Sequence, residues 1–242
     1  SPDEVLPRHK FEVIHLRDLD LAAVRGALQA FGVEARFDAV AVAVLDHGSA
    51  PAGVSNRMLR YQYLQGLISG NATLGAFVHM AGEVPVQMTR MKAVVKTAGT
   101  HVPVLVMDTG AAAALGALQD ATVAGRDRIL TINLGNAHTV AFCLEGLSIK
   151  GLFEHHTSLL DGAKIDDLID KLVRGVLTHE EVFDKGGHGT VIVTHGLPQQ
   201  FMSVTGPRRD VARGSRSGLH LAVPHGDTML AGCYGLVKAF AL

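Results

Sequence analysis

Two uninterrupted apolar runs constrain the fold of this chain most. Residues 39–45 read AVAVAVL and residues 102–107 read VPVLVM. Neither run alternates with polar residues, so each predicts a strand that is buried on both faces. Strands of this kind need helices on both sides, which predicts an α/β fold. Both runs end in polar residues, at the strand ends where open α/β sheets bind ligands.

The rest of the chain alternates between the two periodicities. Predicted helices cover 18 or 20 to 31, 55–67, 88–97, 111–119, 164–176 and 228–240. Further strands are predicted at 128–133, 139–144, 148–153, 191–194 and 201–205. Hairpins are predicted between the first three of these strands, while 69–87 reads as irregular. This order predicts an α/β fold with a mixed sheet.

Composition excludes several classes of protein. Hydrophobic residues make up 48% and charged residues 19%, which indicates a globular chain. The formal net charge of −1 gives no electrostatic basis for binding nucleic acid. No apolar run reaches the ~18–20 residues of a membrane span, so we expect no membrane partner. Cys143 and Cys233 cannot form a disulfide framework, which favours the reducing cytoplasm. The expected partner is a small molecule or nucleotide, and the oligomeric state stays open.

The 13 histidines raise the question of a metal. Glu154, His155 and His156 are consecutive, but adjacent residues of a strand point to opposite faces and rarely bind one ion together. The other histidines are scattered along the sequence. We therefore predict no metal ligands and no stoichiometric metal, with a metal-dependent hydrolase built on the His-rich loops kept as an alternative.

Three segments are candidate sites on their residues alone. The turn at 135–139 offers consecutive N–H groups for an anion, or it is an ordinary hairpin. Asp46 and Asp108 follow the buried runs, and each could hold a metal, activate water or cap a helix. Arg209, in the turn 205–209, could pair with phosphate or be solvated.

Residues 102–144 resemble the actin-like ATPase (ribonuclease H-like) fold of sugar kinases, actin and heat-shock chaperones. In that fold an Ala-rich connecting helix leads into a strand–turn–strand of the form D-x-G-x-x-x-T, whose glycine and threonine embrace the phosphates of ATP. The corresponding residues here are Asn133, Gly135 and Thr139. The stretch VTGPRR is similar to the glycine turn that faces adenosine, and GDTMLAGCYGLVKA is similar to a second connecting helix.

The resemblance implies ATP and magnesium as cofactors, with phosphoryl transfer or hydrolysis as the activity. It implies cofactor-binding roles for Asn133, Gly135, Asn136, His138, Thr139, Gly206 and Arg209. Asp46 and Asp108 would serve magnesium or the attacking group. Catalysis in this class is mainly positioning and charge neutralisation.

A closer resemblance, over residues 38–240, is to a family within this fold that carries the label "putative pyruvate formate-lyase activating enzyme". The segments that resemble its motifs are 46–48, 55–57, 89–91, 108–110, 135–139, 153–157, 181–183, 187–189, 205–209 and 224–227. The labelled activity needs a C-x-x-x-C-x-x-C iron–sulfur motif, which two distant cysteines cannot supply. A radical activase is therefore not expected.

The sequence departs from the fold's pattern in two places. Asn133 stands where kinases of this fold have Asp, and no D-x-G-x-x-T loop occurs in residues 1–40. We expect residues 1–110 to form the end of a first lobe and 111–242 a second lobe, with the chain being part of a longer protein. This chain alone should then bind ATP weakly or not at all. A non-catalytic lobe that binds an anion or a partner is the alternative.

Overall fold

Two sheets carry the fold in the computed structural model, which describes residues 16–99, 101–198 and 200–242. The first sheet has three strands: β1 (Val40–Ala43), β2 (Val78–Met80) and β3 (Val104–Met107), in the order β1-β3-β2. Strands β1 and β3 are parallel, while β2 is antiparallel to β3. All four residues of β3 are buried, as the uninterrupted apolar run predicts.

Three helices accompany the first sheet: α1 (Leu21–Ala30), α2 (Asn56–Gly70) and α3 (Thr89–Ala98). The Asp20 and Ser55 side chains cap the first two by accepting hydrogen bonds from backbone N–H groups of the first turn. The predicted irregular segment 69–87 is wrong in part, because it contains β2 and a 3₁₀ turn at Leu74–Phe77. A three-residue edge strand has too little periodicity to be read from sequence.

The second sheet has six strands in the order β7-β6-β5-β4-β8-β9. The β4–β5, β5–β6 and β6–β7 pairs are antiparallel, whereas β8 runs parallel to β4 and β9. The strands are β4 (Arg128–Leu134), β5 (His138–Glu145), β6 (Ser148–His156), β7 (Gly189–Ile192), β8 (Phe201–Thr205) and β9 (His220–Leu221). These mixed pairings confirm the predicted α/β class with a mixed sheet.

Helix α5 (Gly162–Arg174) packs on the second sheet through Ile165, Leu168 and Leu172, which join the buried cluster around Phe153. Asp161 caps its first turn, and a left-handed Gly175 ends it. The short helix α6 (His179–Asp184) follows, and Thr178 caps it. Further 3₁₀ turns occupy Thr157–Leu159, Arg209–Ala212 and Pro224–Gly226.

Two helices of small residues cross where the sheets meet. Helix α4 (Thr109–Ala117) and helix α7 (Ala231–Ala239) approach so closely that a methyl group on Gly116 would lie 1.8 Å from the Ala231 carbonyl oxygen. A methyl group on Gly235 would lie 1.8 Å from the Ala112 carbonyl oxygen. The small side chains of the alanine run in α4 permit this close approach. Two closely packed helices of small residues thus join the two sheets.

Asp120 fixes the segment after α4. Its carboxylate accepts hydrogen bonds from the N–H groups of Thr122 at 2.7 Å and Val223 at 2.8 Å, and contacts His220 at 3.1 Å. Burial alone would raise the pKa of Asp120, but these hydrogen bonds outweigh it and lower the pKa. The side chain therefore ties the end of α4 to the segment before α7.

The predicted division into lobes at residue 110 falls at the start of α4, between the two sheets, and stays a prediction. Residues 1–15 of the predicted first lobe lie outside the described residues. In the part of the chain that is described, no helix combines the length and the apolar character needed to cross a bilayer.

Candidate functional site

A cavity of about 300 Å³ opens between the second sheet and the two crossing helices. The hairpin turn between β4 and β5 forms one wall, and the Gly206-Pro207 turn after β8 forms another. The start of α4 and the segment that leads into α7 close the remaining sides. This volume lies at the lower end of the range for small-molecule sites. The lining residues are Ala43, Leu45, Thr109, Ala113, Asn133, Gly135, Asn136, Ala137, His138, Gly206, Pro207, Thr228, Met229, Ala231 and Gly232.

The hairpin turn lies against this cavity. The Gly135 N–H closes the turn on the His138 carbonyl at 3.0 Å, and the Thr157 N–H holds the Ala137 carbonyl at 2.9 Å. A methyl group on Gly135 would lie 2.7 Å from the His138 carbonyl oxygen, so the tight turn requires glycine. Asn136 is exposed at the tip. All four residues of the turn, 135–138, line the cavity, and tight turns of small residues are places where backbone groups bind anions.

Five of the predicted cofactor residues line this cavity together: Asn133, Gly135, Asn136, His138 and Gly206. Gly206 has φ of 102°, and a methyl group there would lie 2.4 Å from the Leu134 carbonyl oxygen, so the two walls touch at this point. The parallel pairing of β4 with β8 brings the walls together, since Asn133 is in register with Thr205. The Asn133 side-chain amide oxygen accepts a hydrogen bond from the Thr205 hydroxyl at 3.3 Å.

Thr139 and Arg209 do not line the cavity. The buried Thr139 hydroxyl pairs with the Thr157 hydroxyl at 3.0 Å, in the 3₁₀ turn that follows β6. The threonine of the phosphate pattern is therefore engaged with this turn, and its implied contact with phosphate stays a prediction. Arg209 donates to the Gly206 carbonyl at 3.2 Å and lies near Met229, at the rim of the cavity.

Asp46 and Asp108 do not line the cavity either, although their neighbours Leu45 and Thr109 do. Asp46 accepts hydrogen bonds from the N–H groups of Gly48 at 2.8 Å and Met91 at 2.9 Å, so it caps α3. Asp108 accepts from Gly110 at 2.8 Å and thereby caps α4. Both carboxylates are buried, and the helix-capping alternative describes them better than a direct role in attack.

A fully buried arginine joins the Asp108 carboxylate to that of Glu154. Arg60, on α2, contacts Glu154 Oε2 at 2.6 Å and Asp108 Oδ2 at 2.7 Å, and all three side chains are at most 1% exposed. Burial opposes the charge of Arg60, but Asp108 and Glu154 overcome it and raise the pKa of the guanidinium. A buried charge needs such partners, because desolvation is otherwise too costly.

Four histidines gather beside this ion-pair network. His47, His138, His156 and His188 form five ring pairs with centroids 4.8–5.0 Å apart. His47 Nε2 lies 3.1 Å from His188 Nε2, and His188 Nδ1 lies 3.4 Å from Glu154 Oε1. The premise that the histidines are scattered is therefore wrong for these four. His155, the neighbour of His156, points to the other face of β6, as adjacent residues of a strand do, and lines a separate cavity.

The loop that carries His188 is held on both sides. A methyl group on Gly189, where φ is 137°, would lie 2.3 Å from His179 Nδ1. Gly187 is as tightly enclosed, and its carbonyl accepts a hydrogen bond from Arg57 at 2.9 Å. The two glycines flanking His188 thus allow the loop to pack against α2 and α6 and to direct the imidazole inward.

The three innermost imidazoles are held neutral. Burial lowers the pKa of His188 to about 2, with the neighbouring imidazoles His138 and His47 contributing. Burial also lowers the pKa of His138 to about 4, although Glu154 acts in the opposite direction. Burial is also the main cause that lowers the pKa of His47. Neutral imidazoles present ring nitrogens that can accept a proton donor or a metal ion.

Sequence reasoning missed the role of Arg60 entirely. A signal was present, because Arg60 lies three and four residues before Tyr63 and Leu64 on the buried face of α2. A charged residue on an apolar face predicts a buried partner. Glu154, His47 and His188 were noted only within separate motifs, and their sequence separation hides their contact.

Comparison with known proteins gives a family match and structural matches. The family model described as "Putative pyruvate format-lyase activating enzyme (DUF1786)" matches residues 4–211. A search of curated proteins finds no match. Among solved structures, the crystal structure of MreB 5 of Spiroplasma citri bound to AMPPNP matches with 13% identity and a TM-score of 0.33. That match covers 81% of this chain and 77% of the other.

Proposed function

We propose that this protein, which belongs to the family described as "Putative pyruvate format-lyase activating enzyme", binds a nucleotide in the cavity between its two sheets. The supporting observation is that five residues predicted as cofactor-binding from sequence line that single cavity. Four of them lie in the hairpin at 133–138 and the fifth lies in the turn after β8, so the fold brings two separate segments to one cavity. ATP is the ligand that the resemblance implies.

In this proposal the phosphates lie at the hairpin and the nucleoside lies toward Gly206. The turn at 135–138 supplies N–H donors and the neutral His138 side chain, which suit phosphate oxygens. The Gly206-Pro207 turn and the Met229 side chain offer a flat, mostly apolar surface for a base. Phosphoryl transfer or hydrolysis would take place at the His138 end.

One observation favours binding without transfer as a second candidate. Among the described residues that line the cavity there is neither a carboxylate to hold magnesium nor a lysine or arginine to neutralise phosphate. Asn133 supplies an amide where kinases of this fold have a carboxylate, and an amide is the weaker partner for magnesium. A lobe that binds an anion and transfers nothing is consistent with this lining.

We do not propose radical chemistry for this protein, although the family is described as an activating enzyme of pyruvate formate-lyase. Cys143 is buried, and burial raises the pKa of its thiol to about 12, while Cys233 is exposed on α7. Two thiols so placed cannot supply the three ligands of the iron–sulfur motif. A cytoplasmic location and a nucleotide partner remain proposals.

Calorimetric titration with ATP, with and without magnesium, tests the function. Asn136→Asp places a negative charge at the exposed tip of the hairpin and should weaken ATP binding about tenfold or more, because phosphate is repelled. Asn71→Asp adds the same charge at an exposed position after α2 and should leave affinity unchanged. Equal affinity in both variants would contradict a phosphate site at this hairpin, and weak binding by the parent chain, at millimolar ATP, is expected because residues 1–40 lack the other phosphate loop of the fold. Phosphate release then separates transfer from binding alone.

A further inference from the structure

We propose that His47, His138, His188 and Glu154 bind one divalent transition-metal ion at the phosphate end of the cavity. This site goes beyond the proposed function, because the ion needs no nucleotide in order to bind. Imidazole nitrogen with one carboxylate oxygen is a ligand set that suits Zn²⁺ and Fe²⁺ better than Mg²⁺. The four residues come from three separate parts of the chain.

The distances fit a mononuclear site. One ligand atom from each of the four residues lies within 4.8 Å of the others. Zn–N bonds of 2.0–2.1 Å in a tetrahedral site would place two nitrogens about 3.3–3.4 Å apart. The His47 and His188 Nε2 atoms are already 3.1 Å apart.

Three buried ring nitrogens of the cluster make no hydrogen bond to the described residues. Both nitrogens of His138 and Nδ1 of His188 are buried without a hydrogen bond to the described residues. The two Nε2 atoms that face one another can share at most one proton. Buried polar atoms left unpaired are costly and unusual. A metal ion accepts lone pairs from several imidazoles at once, so it would satisfy nitrogens that the protein does not.

The charge of the surroundings also matches a divalent ion. Asp46, Asp108 and Glu154 are buried carboxylates, and Arg60 is the one cation that contacts the last two. Three buried carboxyl groups and one buried guanidinium therefore lie beside the histidine cluster, and this excess of acidic groups favours a cation.

Glu154 is well prepared to be the carboxylate ligand. Arg60 Nε and its terminal nitrogen hold Glu154 Oε2 at 2.9 and 2.6 Å, which fixes the plane of the carboxylate. Oε1 then faces His188 and the histidine cluster. Partners that orient a ligand in this way commonly govern metal affinity.

His138 connects this site to the cavity. It lines the cavity on one side and belongs to the metal ligand set on the other. An ion held there would supply the positive charge that the lining residues lack, and it could polarise a phosphoryl or other anionic oxygen as a Lewis acid. This last role rests on the proposed function, whereas metal binding does not.

Metal analysis of the purified chain tests the site. After washing with a weak chelator, we expect about one equivalent of zinc or iron per chain by mass spectrometry. Stripped protein should recover one equivalent of Zn²⁺ in competition with a chromogenic chelator, and Co²⁺ should give the visible absorption of a nitrogen-rich site. Less than 0.1 equivalent in each measurement, on the order of a trace contaminant, would overturn the proposal.

Variants distinguish the four-residue site from adventitious binding. His47→Gln, at a half-buried ligand position, should weaken Zn²⁺ binding by at least about 100-fold. His225→Gln changes an exposed histidine outside the cluster and should leave affinity unchanged. Circular dichroism of the stripped proteins confirms folding, and Zn²⁺ should raise the melting temperature of the parent and of His225→Gln only. Equal zinc affinity in His47→Gln and the parent would refute the assignment. ATP titration of the metal-free protein tests the nucleotide site by itself, so failure of one proposal is distinguishable from failure of the other.

Discussion

Removal of the Arg60 charge should destabilise the protein far more than removal of an exposed arginine. Arg60→Met keeps most of the side-chain volume but leaves Glu154 and Asp108 buried without a counter-charge. Their oxygens lie 2.6 and 2.7 Å from the guanidinium, and the arginine is fully buried. Breaking a buried ion pair by removing one partner costs about 3–5 kcal/mol. That is a large part of the ~5–15 kcal/mol that a typical domain has.

The chain contains a matched control for this experiment. Arg90 pairs with Asp18 in a similar two-point geometry, at 2.7 and 2.8 Å, but its side chain is 52% exposed. Arg90→Met should cost no more than about 1 kcal/mol, because solvent screens an exposed pair. The two variants therefore differ mainly in burial.

Urea unfolding at pH 7, followed by circular dichroism, measures both losses. Adding Glu154→Gln to Arg60→Met should restore part of the lost stability, since one buried charge is removed together with its partner. The double variant should differ from the sum of the single variants by about 1–3 kcal/mol. If Arg60→Met costs no more than Arg90→Met, burial does not govern the energy of this network and the reasoning is wrong.

Three further outcomes are expected. Gly116→Ala should lower stability by about 3 kcal/mol or more in thermal unfolding, because its methyl group would lie 1.8 Å from the Ala231 carbonyl oxygen. The control Gly232→Ala has no atom within 4 Å of the added methyl group and should be neutral or slightly stabilising. Equal losses of stability in the two variants would contradict the close crossing of the helices. Asp120→Asn should lose about 1–3 kcal/mol at pH 7. Because folding lowers the pKa of Asp120, its contribution to stability is present above the ordinary pKa of 3.8 and is lost as the pH falls through the folded pKa. The difference in stability between Asp120→Asn and the parent should therefore shrink in unfolding measured at acid pH. A difference that stays constant with pH would contradict this role of the carboxylate. Thr139→Val should cost about 1 kcal/mol of stability and leave ATP affinity unchanged in calorimetry, whereas a large loss of affinity would restore the phosphate contact that the resemblance implied.

The sequence by itself determined the features that depend on neighbouring residues. The apolar run at 102–107 predicted a buried strand, and the alanines after it predicted the close helix crossing that Gly116 and Gly235 permit. Helix starts at Asp20 and Ser55 followed from capping side chains. These features are local, because periodicity, side-chain size and turn chemistry act over a few residues.

Strand register decided which predicted residues share the cavity. Pairing of β4 with β8 placed Asn133 and Gly206 in one wall, while the β5–β6 register turned Thr139 toward Thr157. A one-residue shift of either pair would reverse these orientations, and no local pattern fixes such a shift. The sequence could therefore indicate the hairpin and the glycine turn without showing which of their side chains face the ligand.

Only the tertiary structure brought the histidine cluster together. His47, His138 and His188 follow a strand of the first sheet, open a strand of the second and occupy a loop held by glycines, so their meeting depends on how these elements pack. Arg60 has its partner Glu154 on another element for the same reason. Contacts between residues far apart in sequence are set by the relative placement of whole elements, and a single sequence carries no local signal for that placement.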